Sequence, residues 1–253
     1  MVDIHSHILF DVDDGSRNIE TSIKMVKEAK DAGFDTICAT PHFLEPSFVN
    51  DKKKNDEILG KLKTELVKQG IDVNLILGNE IYITTNILEL IEYEKVSKIG
   101  ESNYILIEFP MNQELKYVKD ILIELLSKNL KIIVAHPERY LYVQKDISYL
   151  KQFLDMGIIF QSNYASLIGR YGKEAKKTVK KLLKNKMIQC MATDAHRDNS
   201  IYLKMNNILK KIRKIVSDDY YNLLVNENQK HILNNEDVVI LEYENVQKFR
   251  LFK

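Results

Sequence analysis

Seven short apolar runs recur along the chain, and longer amphipathic stretches separate them. These runs are rich in β-branched residues, a pattern that predicts strands. The predicted strands span residues 2–5, 34–40, 73–78, 104–109, 131–135, 158–161 and 188–192. Because strands alternate with helical stretches, the expected fold is α/β, either a parallel barrel or a doubly wound sheet.

Between the strands, apolar residues return at the 3.6-residue spacing of a helix with one buried face. One such face contains Ile19, Ile23, Val26 and Ala29, and Gly33 is the expected stop of its helix. Two further repeats run through Leu115, Val118, Ile121, Leu122, Leu125 and Leu126, and through Ile208, Leu209 and Ile212. A short β-like run follows at residues 238–241. No repeat or linker interrupts the pattern, so we expect one domain over residues 1–253.

The composition narrows the class of protein. The 253 residues are 45% hydrophobic, which can supply a sizeable core. Lys and Arg number 37 against 36 Asp and Glu, a net charge of +1, so nucleic acid is not an expected partner. Cys38 and Cys190 cannot form a disulfide framework. No signal peptide or membrane span is evident, so we expect a cytoplasmic location.

Histidines are concentrated where predicted strands end. Five of the six follow a strand closely, and these are His5, His7, His42, His136 and His196. A lone histidine is usually a structural or surface residue, but five at equivalent positions call for a common explanation. In a parallel barrel, active sites form at the C-terminal ends of the strands. We therefore expect these imidazoles to converge at one end of the fold.

Carboxylates occupy similar positions. Glu80 follows the third predicted strand, and Asp194 follows the last one. Glu108 lies within the apolar run at residues 105–109, although most carboxylates are solvated at protein surfaces. A charge in such a run needs a partner, because burying it alone is costly.

The spacing at the first strand adds a further expectation. Asp3, His5 and His7 follow period two, which predicts that all three side chains point to the same side. The sixth strand is the exception among the seven, because it offers Gln161 and Asn163 in place of a histidine or carboxylate.

This ligand set indicates a centre with several metal ions. Imidazole and carboxylate together suit Mn, Zn or Fe and need no cysteine. A closed structural zinc site needs only about four ligands, whereas the strand ends offer about nine. Sites with several ions and mixed histidine and carboxylate ligands typically hydrolyse phosphate esters.

At these residues the chain resembles a known superfamily. The motif set is Asp3-x-His5-x-His7, His42, Glu80, Glu108, His136 and Asp194-x-His196, and it resembles the PHP (polymerase and histidinol phosphatase) superfamily. Residues 10–15, 78–82, 106–109 and 136–139 are similar to the manganese-dependent protein-tyrosine phosphatases of Gram-positive capsule and exopolysaccharide loci. The resemblance implies a distorted seven-stranded (β/α) TIM-like barrel that holds three divalent ions, Mn²⁺ or alternatively Fe or Zn, at the C-terminal strand ends.

The resemblance also implies how the ligands are shared. It assigns one ion to His5, His7, Glu80 and Asp194. It assigns a second ion to Glu80, Glu108 and His136. It assigns the third ion to His42, His196 and one of Asp13 and Asp14, with Asp14 preferred. Arg139 would hold the substrate phosphate with its planar fork.

One position departs from the pattern. Relatives carry a second arginine several residues after the Asp-x-His motif, where this chain has Arg197, Asp198, Asn199 and Ser200. Either Arg197 or Lys204 takes its place, or the second phosphate contact is missing. In the expected mechanism a metal-activated hydroxide attacks phosphorus in line, and His42 or His196 helps the leaving group through water.

The implied substrate is a phosphotyrosine-bearing bacterial tyrosine autokinase that controls polysaccharide export, dephosphorylated in its C-terminal tyrosine cluster. Through this kinase the enzyme would visit the inner membrane face, and an oligomer is compatible with the sequence. A cysteine-dependent phosphatase is excluded, because Cys-x5-Arg is absent: His196 stands six residues after Cys190, and Leu44 six after Cys38. The alternatives are a histidinol-phosphatase-like enzyme for small phosphoesters and a non-catalytic regulatory barrel, which the intact ligand set disfavours.

Two segments carry open expectations. Residues 173–186 are rich in lysine on one helical face, which is either solvated or attracts an acidic phosphopeptide. Residues 43–48 form either a wall facing the substrate, with Phe43 or Phe48 against a tyrosine ring, or a packed connection.

Overall fold

Parallel strands form the centre of the protein. The structure, a computed structural model, describes residues 1–114 and 116–243. The strands in this part are β1 Val2–Ser6, β2 Thr36–Ala39, β3 His42–Phe43, β4 Asn74–Leu77, β5 Glu80–Tyr82, β6 Tyr104–Glu108, β7 Lys131–Ala135, β8 Ile159–Asn163 and β9 Cys190–Ala192. They form two sheets, of order β1-β2-β4 and β3-β5-β6-β7-β8-β9, in which each named pair of strands is parallel. The α/β prediction is confirmed.

Helices connect the strands. The α-helices are α1 Ile19–Asp31, α2 Lys52–Lys68, α3 Ile87–Glu92, α4 Val118–Ser127, α5 Leu141–Lys145, α6 Lys151–Leu154, α7 Gly172–Lys184, α8 Met205–Arg213, α9 Asp218–Asn222 and α10 Asn228–Leu233. Short 3-10 helices span Pro137–Arg139, Ile147–Leu150, Tyr164–Ile168 and Tyr202–Lys204, and a π-helical turn spans Leu223–Glu227. None of the helices described is long and apolar enough to cross a bilayer.

The second and third predicted strands are each longer than expected and interrupted. β2 pairs with β4 up to Ala39 and Leu77, and the pairing resumes three residues later on both sides, at His42 and Glu80. At the break Pro41 has no N–H to donate, and its carbonyl accepts from Glu80 N at 3.1 Å and from the Asn79 amide at 2.9 Å. The unbroken offset places His42 beside Glu80.

The carboxyl end of β1 meets the chain that follows β9. Asp194 N donates to His5 O at 2.9 Å, and His7 N donates to Ala195 O at 2.9 Å. A parallel bridge joins Ser6 to Ala195, so the end of β1 and the Asp-x-His segment lie side by side.

Alternate strand residues pack into two apolar layers. Leu106 and Ile133 belong to a small cluster that also contains Cys38 and Cys190, whereas their neighbours along the strands belong to the larger cluster with the helices. Apolar residues therefore cover both faces, as in other buried parallel sheets. Both cysteines are free and buried, and burial raises the pKa of each thiol, so neither is a reactive nucleophile.

Several local predictions can be compared with the structure. The helix expected from Ile19 onward is α1, and Asn18 caps it by accepting from Thr21 N at 2.9 Å. Leu115 and residues 244–253 lie outside the described residues. The strand suggested at residues 238–241 is wrong. Instead, the Val239 backbone pairs with the Asn228 side chain. Val239 N donates to Asn228 Oδ1 at 2.9 Å, and Asn228 Nδ2 donates to Val239 O at 3.1 Å.

Candidate metal centre

The strand ends bring the candidate ligands together. Among the described residues, three groups of side chains could each hold a metal ion. Within each group, the ligand atoms lie within 4.8 Å of one another. The first contains His5, His7, Glu80 and Asp194, the second His7, Asp14, His42 and His196, and the third His42, Glu80 and Glu108. His7, His42 and Glu80 each belong to two groups, so the three groups are contiguous.

The first group places two imidazole nitrogens face to face. His7 Nδ1 lies 2.7 Å from the Asp13 carboxylate, and His5 Nδ1 lies 2.8 Å from Gln161 Oε1. Because both partners accept, each Nδ1 carries a proton, and Nε2 is the nitrogen of each ring that can coordinate an ion. The two Nε2 atoms are 3.2 Å apart, so they can share a proton in the metal-free chain or face one cation that displaces it.

Two buried oxygens in the same group also lack hydrogen bonds. Within residues 1–114 and 116–243, neither Glu80 Oε2 nor Asp194 Oδ1 accepts one. Glu80 Oε2 lies 3.2 Å from His5 Nε2 and 3.3 Å from His7 Nε2. Two imidazoles and two carboxylates around one point are a donor set for Mn, Zn or Fe. The residues therefore fit a divalent ion.

Asp13 and Asp14 have different surroundings. Both carboxylate oxygens of Asp13 already accept hydrogen bonds. Besides the contact with His7, Asp13 accepts from His42 N at 2.9 Å and from Gly15 N at 2.8 Å. Asp14 is half exposed, with Oδ1 3.3 Å from His196 Nε2 and 3.6 Å from His42 Nε2. The structure thus puts Asp14, not Asp13, within one of the three groups.

His136 contacts the two carboxylates of the third group. Its Nε2 lies 2.8 Å from Glu80 Oε1 and 3.6 Å from Glu108 Oε1. Burial and the nearby Arg139 charge lower the pKa of His136 to about 4, so this ring is neutral and able to coordinate. Burial and the Glu80 charge raise the pKa of Glu108 to about 8.

Asp3 does not join this centre, so the period-two expectation is wrong for it. The register of β1 shifts between Asp3 and Ser6, so a regular alternation of side chains does not hold over this stretch. The Asp3 carboxylate accepts from Thr193 N at 3.0 Å and from Tyr202 OH at 2.8 Å instead.

Two side-chain amides on β8, to which the sequence assigns no role, form a chain of hydrogen bonds behind the ligands. Gln161 Nε2 donates to Asn163 Oδ1 at 2.9 Å, and Asn163 Nδ2 donates to Asp194 Oδ2 at 2.6 Å. Together with the His5 contact they link one ligand of the first group to another. Their period-two position at a strand end was the available signal.

Arg139 lies beside the centre and reaches solvent. Its Nη1 is 3.1 Å from Asp194 Oδ2, and the guanidinium lies over the ring of Tyr171, 4.5 Å from the ring centre. The Tyr171 hydroxyl lies 3.2 Å from the same carboxylate oxygen. The remaining guanidinium donors are placed to bind an anion at the mouth of the centre.

Arg197 takes another position than expected. Its Nη1 donates to the carbonyl of Asp14, to that of Gly15 at 2.7 Å and to that of His196 at 2.7 Å. Three backbone acceptors hold this group, so Arg197 joins the two loops that carry Asp14 and His196. A phosphate contact from this atom is therefore not what the structure favours.

The segment at residues 43–48 divides between its two interpretations. Phe43 is buried in the larger apolar cluster. The ring of Phe48 is half-buried and stacks on His42, with ring centres 5.7 Å apart. Within this segment, Phe48 is thus the aromatic residue next to the centre.

Comparison with known proteins places this arrangement in a family. The family described as capsular polysaccharide synthesis, CpsB/CapC, matches residues 1–234. The chain belongs to the CpsB/CapC family. The family resemblance expected from the sequence motifs is thereby confirmed.

Individual CpsB/CapC proteins cover most of the chain. CapC of Staphylococcus aureus is 34% identical over 240 residues, 94% of this chain and 93% of CapC. The tyrosine-protein phosphatase YwqE of Bacillus subtilis is 29% identical over 252 residues, 100% of this chain and 99% of YwqE. One solved structure comes from work on YwqE and Streptococcus pneumoniae CpsB, which are described there as metal-dependent tyrosine phosphatases. It superposes with a TM-score of 0.89 at 29% identity, and the match covers 98% of this chain and 100% of the solved one.

A more distant structure shares the fold alone. The histidinol phosphate phosphatase of Lactococcus lactis, solved with zinc, L-histidinol and phosphate, has a TM-score of 0.56 at 15% identity. It covers 85% of this chain and 93% of its own. The family thus has a wider group of α/β enzymes as structural neighbours.

Proposed function

We propose that this chain is a metal-dependent tyrosine phosphatase whose substrate is a bacterial tyrosine autokinase controlling capsular or exopolysaccharide synthesis. The observation that carries the proposal is the buried convergence of His5 Nε2 and His7 Nε2, 3.2 Å apart, with the Glu80 and Asp194 carboxylates. Family membership and the tyrosine-protein phosphatase names of its relatives support the reaction.

We further propose three divalent ions, Mn²⁺ in the first place and Fe or Zn as alternatives. His5, His7, Glu80 and Asp194 would hold the first ion. Glu80, Glu108 and His136 would hold the second, and Asp14, His42 and His196 the third. His7 and His42 lie close enough to neighbouring groups to be shared. A distorted barrel of seven strand positions, closed where β1 meets the end of β9, would carry all three.

The bound ions would lower the pKa of water toward about 7 and neutralise phosphate oxygens. Arg139 would bind the substrate phosphate with the donors that do not face Asp194, and stabilise charge as it develops. The leaving phenolate of tyrosine has a pKa near 10, so it needs little protonation. His42 and His196, both partly exposed, would position a water that gives a proton to that oxygen.

The openness of the centre favours a peptide over a small metabolite. Asp14 is 55% exposed, and the side chains of His196 and Arg139 are 20% and 27% exposed. A phosphotyrosine that projects from a protein surface can reach ligands at such a mouth. The stacked pair of Phe48 and His42 would form one wall for the aromatic ring.

Hydrolysis assays test the function. We expect the Mn²⁺-loaded chain to hydrolyse a phosphotyrosine peptide with a higher kcat/KM than histidinol phosphate, and chelation to abolish the reaction. Preference for histidinol phosphate would refute the tyrosine phosphatase, and undiminished activity of a metal-stripped sample would refute the mechanism. A chain that binds metal but hydrolyses neither ester would be the regulatory barrel.

Residues 1–253 would form one domain that acts in the cytoplasm and reaches the inner membrane face through the kinase. The two sheets support this organisation, since backbone hydrogen bonds and a bridge join them at Ser6 and Ala195.

A further inference from the structure

A small cationic cavity lies beside the candidate metal centre. Its volume is about 190 Å³, and the segments that follow β8 and β9 form it. The lining residues are Ile168, Gly169, Arg170, Ser200, Ile201 and Lys204. Ligand pockets for whole small molecules usually measure about 300–1,000 Å³. This cavity therefore suits one charged group and water.

The polar groups of the cavity are cations and a hydroxyl. Arg170 donates from Nη1 to Ser200 Oγ at 2.8 Å, which orients its guanidinium. Lys204 contributes a second cation to the lining. Lys176 is near as well, because a Cβ built on Gly169 would lie 4.0 Å from its Nζ.

These cations lack counter-charges. No Asp or Glu lines the cavity, and within the described residues no carboxylate lies within 4.0 Å of the Arg170, Lys176 or Lys204 cation. Three positive groups without a carboxylate partner among the described residues raise the local potential and attract an anion. Other lysines of α7 could also attract an anion. Among the lysines of this helix, Lys176 is the one that adjoins a cavity with an oriented arginine.

Neighbouring positions in the chain connect the cavity to the reacting site. Arg170 precedes Tyr171, whose hydroxyl contacts Asp194 at 3.2 Å and whose ring supports Arg139. Ser200 follows His196 by four residues. A peptide whose phosphotyrosine reached Arg139 would therefore place a neighbouring side chain near the cavity.

We propose that this cavity binds a second anionic group of the substrate, next to the phosphotyrosine being hydrolysed. The group is a carboxylate of an acidic residue or the phosphate of another phosphotyrosine, because both present oxygens that Arg170 and Lys204 can bind. This inference rests on the proposed function. It makes Arg170 and Lys204 determinants of specificity and leaves the chemistry to the metal centre.

A series of peptides tests the proposal on the full chain loaded with Mn²⁺. Three phosphotyrosine peptides are compared, with neutral flanks, with glutamate flanks and with a second phosphotyrosine. p-Nitrophenyl phosphate serves as the substrate without flanks. We expect the anionic peptides to have a higher kcat/KM, and Arg170→Gln with Lys204→Gln to lower it for them about three- to tenfold, mainly through KM. The two anionic peptides distinguish a carboxylate from a phosphate as the preferred group.

Lys210→Gln is the matched control, because Lys210 is an exposed lysine of α8 outside the cavity lining. We expect this variant to leave kcat/KM unchanged for every substrate in the series. Equal kcat/KM for neutral and anionic peptides in the unaltered chain would overturn the subsite. So would an equal loss on p-nitrophenyl phosphate in the double variant, which would place Arg170 on the reacting phosphate. Failure of the unaltered chain to hydrolyse any phosphotyrosine peptide would instead refute the proposed function itself.

Discussion

Gln161 Oε1 lies 2.8 Å from His5 Nδ1, and this contact determines which nitrogen of His5 faces the metal centre. The direction of the chain of amides is set at its other end. Asp194 can only accept as a carboxylate, so Asn163 must donate to it from Nδ2 and turn Oδ1 toward Gln161 Nε2. Gln161 then presents its oxygen to His5, whose Nδ1 keeps the proton while Nε2 is free to coordinate.

Gln161→Leu should therefore weaken metal binding about 10- to 100-fold, because the His5 ring loses the group that orients it. Titration of the metal-stripped variant with Mn²⁺ measures this. Gln189→Leu is the control, since this buried amide accepts from Phe160 N at 2.8 Å and contacts no imidazole. Equal losses of affinity in both variants would show that any buried amide has the same effect.

His136→Ala should reduce turnover by at least about 100-fold while the fold is retained, because it removes a neutral ligand next to Glu80 and Glu108. The measurements are kcat on a phosphotyrosine peptide and the far-ultraviolet circular dichroism spectrum. His231→Ala is the matched control, because His231 lies on α10 and faces Glu236 at 3.7 Å. A loss near twofold for His136→Ala would count against its role as a ligand.

Asp14→Asn should lower the metal content by about one ion per chain, because this carboxylate faces His42 and His196. Asp13→Asn should retain that ion, since the amide oxygen still accepts from His7 Nδ1. Elemental analysis after dialysis compares the two variants. The opposite order, with Asp13→Asn losing the ion, would contradict this assignment.

Metal binding at pH 7 should release protons. In the metal-free chain, burial lowers the pKa of His5 but Glu80 and Asp194 raise it to about 9. Burial and Glu80 raise the pKa of Glu108 to about 8. Both groups therefore hold protons at pH 7, and an ion must displace them. The number released should fall as the pH rises through 8 and then 9.

Isothermal titration calorimetry in buffers of different ionisation enthalpy measures that release. The observed enthalpy at pH 7 should depend on the buffer, and the dependence should diminish near pH 10. Glu108→Gln reduces the release if Glu108 supplies one of the protons. A binding enthalpy that is independent of the buffer at pH 7 would contradict both pKa shifts.

Much of the fold was predictable because its signals are local. The seven apolar runs correspond to the strand positions, and the spacing of Ile19, Ile23, Val26 and Ala29 marks α1. The resumption of strand pairing after Pro41 and Asn79 was not predicted, because it depends on hydrogen bonds from Glu80 N and the Asn79 amide to the distant Pro41 carbonyl. The same reason explains why residues 238–241 form no strand.

By itself, the sequence determined the alternation of strands and helices, the family and the residue types at the strand ends. Tertiary structure alone decided which of these side chains meet. Asp3 accepts from Thr193 and Tyr202 outside the centre, and three backbone carbonyls occupy Arg197 Nη1. Such contacts join residues far apart in the chain within 4 Å, and that depends on strand register and loop path, which no local pattern encodes.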